Sequence, residues 1–419
     1  MTTLTKIIAA REQFGISQAQ MARLMKVSNG YLSQIESGKR TLTPKFIELF
    51  KEKLGVPMLP LNTTEDEAFK ESLYKWKEVM SFQDADTANE MRDILKRTTA
   101  LMPDGDLTYL FQLFEISYFN KIGDTAAAMQ TLNTLEPHVE HFNAEVAYWY
   151  CRCYGNRAMQ DSNYKAATKK FIQAEKPGAT MNRNDDILYY NMGYCLLMMG
   201  FTTRALPFID KAYELTKTNG HNRNNLLIRC LQADSRAHTG RFQEALDLFE
   251  KCLWEEKNKP DARTSIGLIY RDIARVYILM GDYAAALTHM HSSFQYITPD
   301  DNEYVRNLHL QANILIKDDK ASEGLRCLDE ATKLVKPDSL LEIKLLTTMH
   351  LCSLDDEAAM QYIENVSIPT LKAHGHYLTL LECYETISTH FSDKKRKKAY
   401  EYMHRAFRLC NRLRRGHMF

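Results

Sequence analysis

Small residues recur along most of this chain at steps of about 40 residues, namely Ala88, Ala128, Ala167, Ala205, Ala245, Ala286, Gly324, Ala358 and Ala399, with one shorter step. A bulky residue follows four positions on and a second small one seven on, as in Phe171 and Ala174, Ile209 and Ala212, Phe249 and Cys252, and Met403 and Ala406. A glycine, often with an aromatic, precedes several of them: Gly200-Phe201, Gly240-Arg241-Phe242 and Gly281-Asp282-Tyr283. Pro137, Pro177, Pro260, Pro299 and Pro337 read as the ends of units. The pattern predicts pairs of antiparallel helices in which small residues let the partners approach and large ones fill the gap to the next pair. No single pair buries enough surface alone, so stacking is obligatory and generates a curved superhelix with a concave face. The expected fold is all-α, with about nine such units over residues 65–419.

The first 56 residues follow a different rule. Ser17 is placed to cap a helix, with Gln20 closing a capping box and Met21, Ala22 and Leu24-Met25 supplying its buried face. After the turn Lys26-Val27-Ser28 a second short helix starts at Ser28; Leu32 and Ile35 face inward, leaving Asn29, Ser33 and Gln34 outside. Two short helices joined this tightly form the geometry that lays the second helix in a DNA major groove. Residues 1–60 carry nine basic and four acidic side chains, about +5, while the whole chain is +1. Basic charge is thus concentrated where phosphate would be met. Residues 57–64, with Pro57, Pro60 and Asn62-Thr63-Thr64, read as a linker. Thr64 would then cap a helix opening with Glu65-Asp66-Glu67, where acidic residues suit the N-terminus.

On these residues the N-terminal segment resembles the Cro/repressor-type (Xre-like) helix-turn-helix domain over about residues 4–56. Ser17-Gln18, Ala22, Val27-Ser28, Leu32-Ser33, Ile35-Glu36, Gly38 and Leu54-Gly55-Val56 carry the resemblance. It implies that Gln18, Lys39 and Arg40 hold phosphates while Ser28, Asn29 and Gln34 approach bases, with Ser33 on the same outward face. Two departures stand out: Lys26 occupies the place of the usual turn glycine, and Gly30 leaves one contact position without a side chain.

The repeats resemble tetratricopeptide repeats in a longer-helix version, which implies a right-handed superhelix whose first helices line a groove. Aligned by their small residues, those inner stripes carry Trp149, Arg152 and Asn156; then Tyr190, Asn191 and Tyr194; then Asp234; then Arg271 and Arg275; then His309 and Asn313. An asparagine amide offers both donor and acceptor to an extended peptide, and arginine can fork onto a carboxylate. Against this stands the reading of each as a solvated or ion-paired surface residue, and of Tyr190 and Tyr194 as packing.

A helix-turn-helix followed directly by such an array resembles the Gram-positive quorum-sensing regulators grouped with Rap, Rgg, NprR, PlcR and PrgX, in particular the NprR-like branch. The resemblance implies a cytoplasmic transcriptional regulator, a homodimer or higher oligomer, bound to double-stranded operator DNA and controlled by a short signalling peptide in its repeat domain. Two alternatives stay open. One is a Rap-like effector that captures a response-regulator protein; the other is a phage or mobile-element repressor sensing a protein partner.

Other classes find little support. With 45% apolar and 26% charged residues the composition is that of an ordinary globular protein. No apolar run approaches the roughly 18 residues of a membrane span, Leu196-Leu197-Met198-Met199 being far too short. Met1-Thr2-Thr3-Leu4 lacks signal-peptide architecture, and nine scattered cysteines argue for a reducing cytoplasm. Cys151 and Cys153, like His289 and His291, are two apart on helices and face different ways, and His138-Val139-Glu140-His141 lacks the spacing of zinc-protease motifs. No phosphate loop, nucleotide fingerprint or nucleophile elbow is present. Neither metal, cofactor nor catalysis is therefore expected. Lys394-Lys395-Arg396-Lys397-Lys398 reads as a solvated turn before the last helix.

Overall fold

The computed structural model describes residues 3–55, 59–60, 63–81, 85–219, 222–260, 262–301 and 303–416, and among these every regular element is helical. Half of the expected linker, residues 57–58 and 61–62, lies outside the described residues, and Thr63 and Thr64 already belong to the helix that Thr64 was expected to cap. The chain divides into two compact units, Met1–Cys153 and Tyr154–Phe419.

The first unit opens with α1 (Thr3–Gln13), α2 (Gln18–Leu24), α3 (Asn29–Glu36) and α4 (Pro44–Leu54). Ser17 caps α2 as expected: its backbone N–H donates to Gln20 Oε1 at 2.7 Å and its hydroxyl accepts from Gln20 N at 3.3 Å. Ser28 caps α3 through Tyr31 N at 3.1 Å. Leu32 and Ile35 are fully buried beside Met21, Ala22 and Met25, but Leu24 is 45% exposed. The hundred-degree step of the helix carries Leu24 past the buried face that Met21 and Met25, one turn apart, define. Lys26, in the turn, has φ +54°. A side chain there costs about 1 kcal/mol that glycine avoids, partly offset by glycine's freedom in the unfolded chain. Lys26→Gly is accordingly expected to raise stability by about 0.5 kcal/mol, read as a higher urea midpoint. An unchanged or lower midpoint would mean that the turn carries no strain.

Helices α5 (Thr63–Ser81), α6 (Ala85–Thr99), α7 (Asp106–Lys121) and α8 (Thr125–Leu135) follow, and α9 (Ala144–Gln160) contains the division between the units. Within the first unit, Leu59 and Leu101 join the buried cluster of α1–α4, and Met102 packs against it. Lys51, 5% exposed, pairs with Glu65 at 2.9 Å, and Lys6 pairs with Asp66 at 2.7 Å. The acidic opening of α5 thus does more than suit a helix N-terminus, because it clamps the helix-turn-helix to the first repeat.

The second unit continues with α10 (Tyr164–Thr180), α11 (Asp186–Met198), α12 (Thr202–Asn219), α13 (Asn222–His238), α14 (Phe242–Lys257), α15 (Arg263–Met280), α16 (Tyr283–Phe294), α17 (Tyr304–Lys317) and α18 (Ala321–Leu334). The small residues lie early in the second helix of each pair, where Ala167, Ala205, Ala245 and Ala286 are all fully buried. Phe171, Ile209 and Phe249 are fully buried, but Phe171 and Ile209 lie directly against Gly155 and Gly193 of the first helix in their own pair, not only in the gap to the next. A residue in the left-handed region turns one helix into the next: Gly123, Ser162, Gly200, Gly240, Gly281 and Asp319, with φ between 57° and 85°. Asp124, Asn163 and Asp282 immediately after three of these cap the second helix. Pro177 lies inside α10 rather than ending a unit, three residues before the helix ends, and supplies no N–H for the carbonyl of Gln173.

The last repeats are less regular. α19 (Leu340–Leu351) is followed by α20 (Glu357–Tyr362), a π turn at Ile363–Ser367 and α21 (Ile368–His374), with Pro369 at the junction unable to donate an α-helical hydrogen bond. Here Ala358 is exposed and Ala359, 1% exposed, takes the buried place, so the short step of the period moves by one residue. α22 (Tyr377–His390) and α23 (Arg396–Arg415) close the chain. Met403, on α23, is 54% exposed instead of filling a gap. Lys394 and Lys398 of the basic run pair with Asp355 at 2.7 Å and Glu364 at 3.1 Å.

These final helices pack back on the start of the same unit. His376 Nε2 donates to the Ser162 carbonyl at 2.8 Å, Arg204 Nη1 donates to the Gly416 carbonyl at 2.8 Å, and the Phe201 and Tyr377 rings meet edge to face at 5.9 Å. The two ends of the second unit are thereby brought together.

Candidate nucleic-acid interface and ligand groove

In the first unit, Ser28, Asn29, Ser33 and Gln34 are exposed on one side of α3, and Lys39 and Arg40 are exposed just beyond it. The Arg40 guanidinium sits 4.3 Å over the Tyr31 ring, which orients it. Gln18 is half-buried and donates through Nε2 to Glu36 Oε2 at 2.9 Å, so a phosphate there would meet an amide already held in place. Glu36 also takes Arg11 in a fork, with Nε at 2.8 Å and Nη2 at 3.2 Å, while Arg11 Nη1 donates to the Ile16 carbonyl at 2.7 Å. Arg11 is only 8% exposed. This buried pair joins α1 to the C-terminal end of α3 and was missed from sequence; an arginine on the apolar face of α1, beside Ile7 and Ala10, was its signal.

Arg152, expected in the groove, belongs to the first unit, where its guanidinium lies 5.2 Å from the Trp149 ring. The other groove residues fall in the second unit, on α9, α11, α13, α15 and α17. Asn191, 4% exposed, donates through Nδ2 to Asn156 Oδ1 at 2.9 Å, so two amides expected to meet a ligand meet each other. Tyr194 stacks on Tyr190 at 6.2 Å and meets Tyr164 edge to face at 6.0 Å; burial raises its hydroxyl well above the ordinary range. Asp234 is 8% exposed.

The arginines are engaged. Arg271 Nη1 pairs with Glu303 at 2.6 Å and Arg275 Nη1 with Asp272 at 3.1 Å. Burial alone would raise the Glu303 carboxyl, but Arg271 and Arg306 outweigh it and hold it low. For Asp272, burial prevails over Arg275 and Arg271 and raises the carboxyl. His309 Nε2 contacts the Thr348 hydroxyl at 3.1 Å; burial, helped by Lys344, pushes the imidazole down to about 3, so it is neutral. Asn313 is half-buried and makes no side-chain hydrogen bond among the described residues.

Residues not singled out from sequence complete this surface: Asp272, Glu303, Arg306, Lys344, Thr348 and His376. Their signal was available as spacing. Arg306, His309 and Asn313 are three and four apart, one face of α17, and Lys344 and Thr348 stand likewise on α19. Tyr194 on α11 feels both Arg275 and Arg306, and His376 feels Lys344 and Arg306. The inner faces of separate repeats therefore converge on one concavity. Among the described residues no cluster of side chains could hold a metal ion, and no helix is long and apolar enough to cross a membrane.

The helix-turn-helix family matches residues 7–61 and the tetratricopeptide repeat family residues 186–253. No curated protein sequence matches the chain. Among solved structures it is similar to NprR in complex with its cognate peptide NprX, at 19% identity and TM-score 0.69, covering 82% of this chain and 99% of that one. It is similar to the apo form of the quorum sensor NprR from B. thuringiensis at 20% identity and TM-score 0.58, with 82% and 99% covered. A Rap protein complexed with Competence and Sporulation Factor gives 14% identity and TM-score 0.70, with 83% and 99% covered. At these identities the likeness is one of fold, and the chain is a helix-turn-helix module joined to a tetratricopeptide-type array with the fold of NprR and Rap structures.

Proposed function

We propose that this chain is a cytoplasmic transcriptional regulator that binds operator DNA through α3 and is controlled by a short signalling peptide held in the concavity of its second unit. The observation that carries this reading is the coexistence, in one chain, of a helix-turn-helix with exposed polar side chains on α3 and a helical-repeat unit that brings asparagines and charged side chains of separate repeats together. Residues 1–56 act as the DNA-binding domain, 57–64 as linker and 65–419 as the ligand-binding and dimerising domain. A homodimer suits the class, because paired half-sites lie about 34 Å apart on DNA. Asn156, Asn191 and Asn313 supply amides for a peptide backbone, the first two by exchanging their mutual hydrogen bond for the ligand's. Arg271 and Arg275 serve mainly to fix Glu303 and Asp272.

A peptide can shift DNA binding only if it binds two states of the protein unequally, and the coupling is then reciprocal. Copurified or propeptide-derived peptide is expected to change its affinity, by the same factor it imposes on DNA affinity, when operator fragments selected from genomic DNA are added to a calorimetric titration. Equal peptide affinities with and without operator would remove the allosteric reading. A protein that selects no DNA but retains a response regulator would be the Rap-like effector instead.

A further inference from the structure

The concavity of the second unit holds four cationic side chains, Arg271, Arg275, Arg306 and Lys344, against three carboxylates, Asp234, Asp272 and Glu303. Two of the cations are neutralised at hydrogen-bond distance. Arg306 is only loosely held, its Nε lying 3.9 Å from Glu303. Lys344 has no ion-pair partner among the described residues. The nearest attractive charge it feels is Glu382, which is itself bonded to Lys317 at 3.0 Å.

Lys344 is also set among neighbours that repel its charge. It rises from α19 one turn before Thr348, whose hydroxyl is occupied by His309, and both Arg306 and Arg275 act on it. Burial first, and then these two guanidiniums, pull its ammonium down to about 8. A half-buried cation in that position weakens the free protein. A dedicated anion would relieve the cost: no side chain among the described residues forms an ion pair with Lys344, and the His309–Thr348 contact holds α17, with Arg306, against α19.

We infer that Lys344 and Arg306 together hold a carboxylate of the bound ligand, so that the peptide recognised by this groove is acidic, through a side chain or its C-terminus. The inference rests on the peptide reading above and specifies its chemistry. Arg306 supplies the planar fork that matches a carboxylate, and Lys344 the point charge beside it. The neutral His309 does not compete for the anion as a cation, and the Thr348 hydroxyl it contacts donates to the Lys344 carbonyl at 3.2 Å.

Four synthetic heptapeptide libraries, randomised over uncharged residues, test this with the full chain. They combine presence or absence of one aspartate at a random position with a free or amidated C-terminus. Retained peptides are separated by gel filtration and quantified by mass spectrometry. The parent protein is expected to retain carboxylate-bearing peptides about tenfold over the amidated library without aspartate, a charge-assisted contact being at stake. Whichever of the two single-carboxylate libraries is enriched identifies the source of the carboxylate. Lys344→Met and Arg306→Met lose this preference while Lys344→Arg keeps it, and Lys344→Met melts at a higher temperature than the parent because an uncompensated charge has gone. Equal retention of acidic and neutral libraries overturns the inference and leaves peptide binding standing. So does a preference that survives both methionine substitutions, or a lower melting temperature for folded Lys344→Met. Retention of no library overturns the peptide reading and this inference with it.

Discussion

Glu36→Ala is expected to destabilise the helix-turn-helix by about 3 kcal/mol, because it leaves the buried Arg11 guanidinium with only the exposed Glu12 carboxylate, 3.5 Å from Nη2, as counter-charge. Arg11 is 8% exposed and spends both its Nε and Nη2 on Glu36, so it cannot rehydrate without opening the contact between α1 and α3. The same carboxylate orients Gln18, which the structure places at 2.9 Å from it. Loss of stability and loss of DNA affinity should therefore arrive together. Amide hydrogen exchange of the full chain localises the effect, and protection in α1 and α3 should collapse while α13–α16 keep theirs. Unchanged protection in α1 would show that the Arg11 pair contributes nothing. The simultaneous change Arg11→Met with Glu36→Leu should recover most of the loss, since removing both charges avoids the orphan.

Gln34→Ala and Asn29→Ala are each expected to reduce discrimination between operator and unrelated DNA by about 1–3 kcal/mol, and the double substitution by roughly the sum. Both side chains are exposed on α3, and neither is needed by the core that Leu32 and Ile35 form. Binding to random-sequence DNA should persist at low salt, because Lys39 and Arg40 still meet phosphate. Competition titration with operator and scrambled duplexes measures the ratio. Operator selectivity that survives the double substitution would place the reading face elsewhere.

The helix-turn-helix was legible in detail because its signals are local. A capping serine, a glutamine three residues on and two inward apolar residues act within a turn or two of helix, so Ser17, Gln20, Ser28, Leu32 and Ile35 take the roles their spacing implied. Leu24 shows the limit: a run of apolar residues does not say which of them turns outward. The repeat period was legible for a related reason. Close helix approach admits only a small side chain, and Ala167, Ala205 and Ala245 mark that place in successive pairs. Where α20 and α21 depart from the regular pair around Pro369, the buried residue slipped from Ala358 to Ala359.

The residues assigned to the groove were legible as helix positions and not in state. Helical spacing put Asn191, Arg271, Arg275 and His309 on inner faces, but Asn191 answers to Asn156, Arg271 to Glu303 and His309 to Thr348. Which charges cancel depends on groups brought together from helices far apart in the chain, and no local pattern records those distances.

By itself, the order of residues determined the kind of elements, their pairing into hairpins and the module at the N-terminus, since caps, left-handed turn positions and small-residue spacing act over a few residues. Tertiary structure alone decided the rest. It brought Leu101 and the acidic start of α5 onto the helix-turn-helix, returned His376 to Ser162, and left Lys344 without an ion-pair partner among the described residues. The return of His376 to Ser162 is what rotation accumulated over stacked repeats produces, since it brings together side chains far apart in the chain.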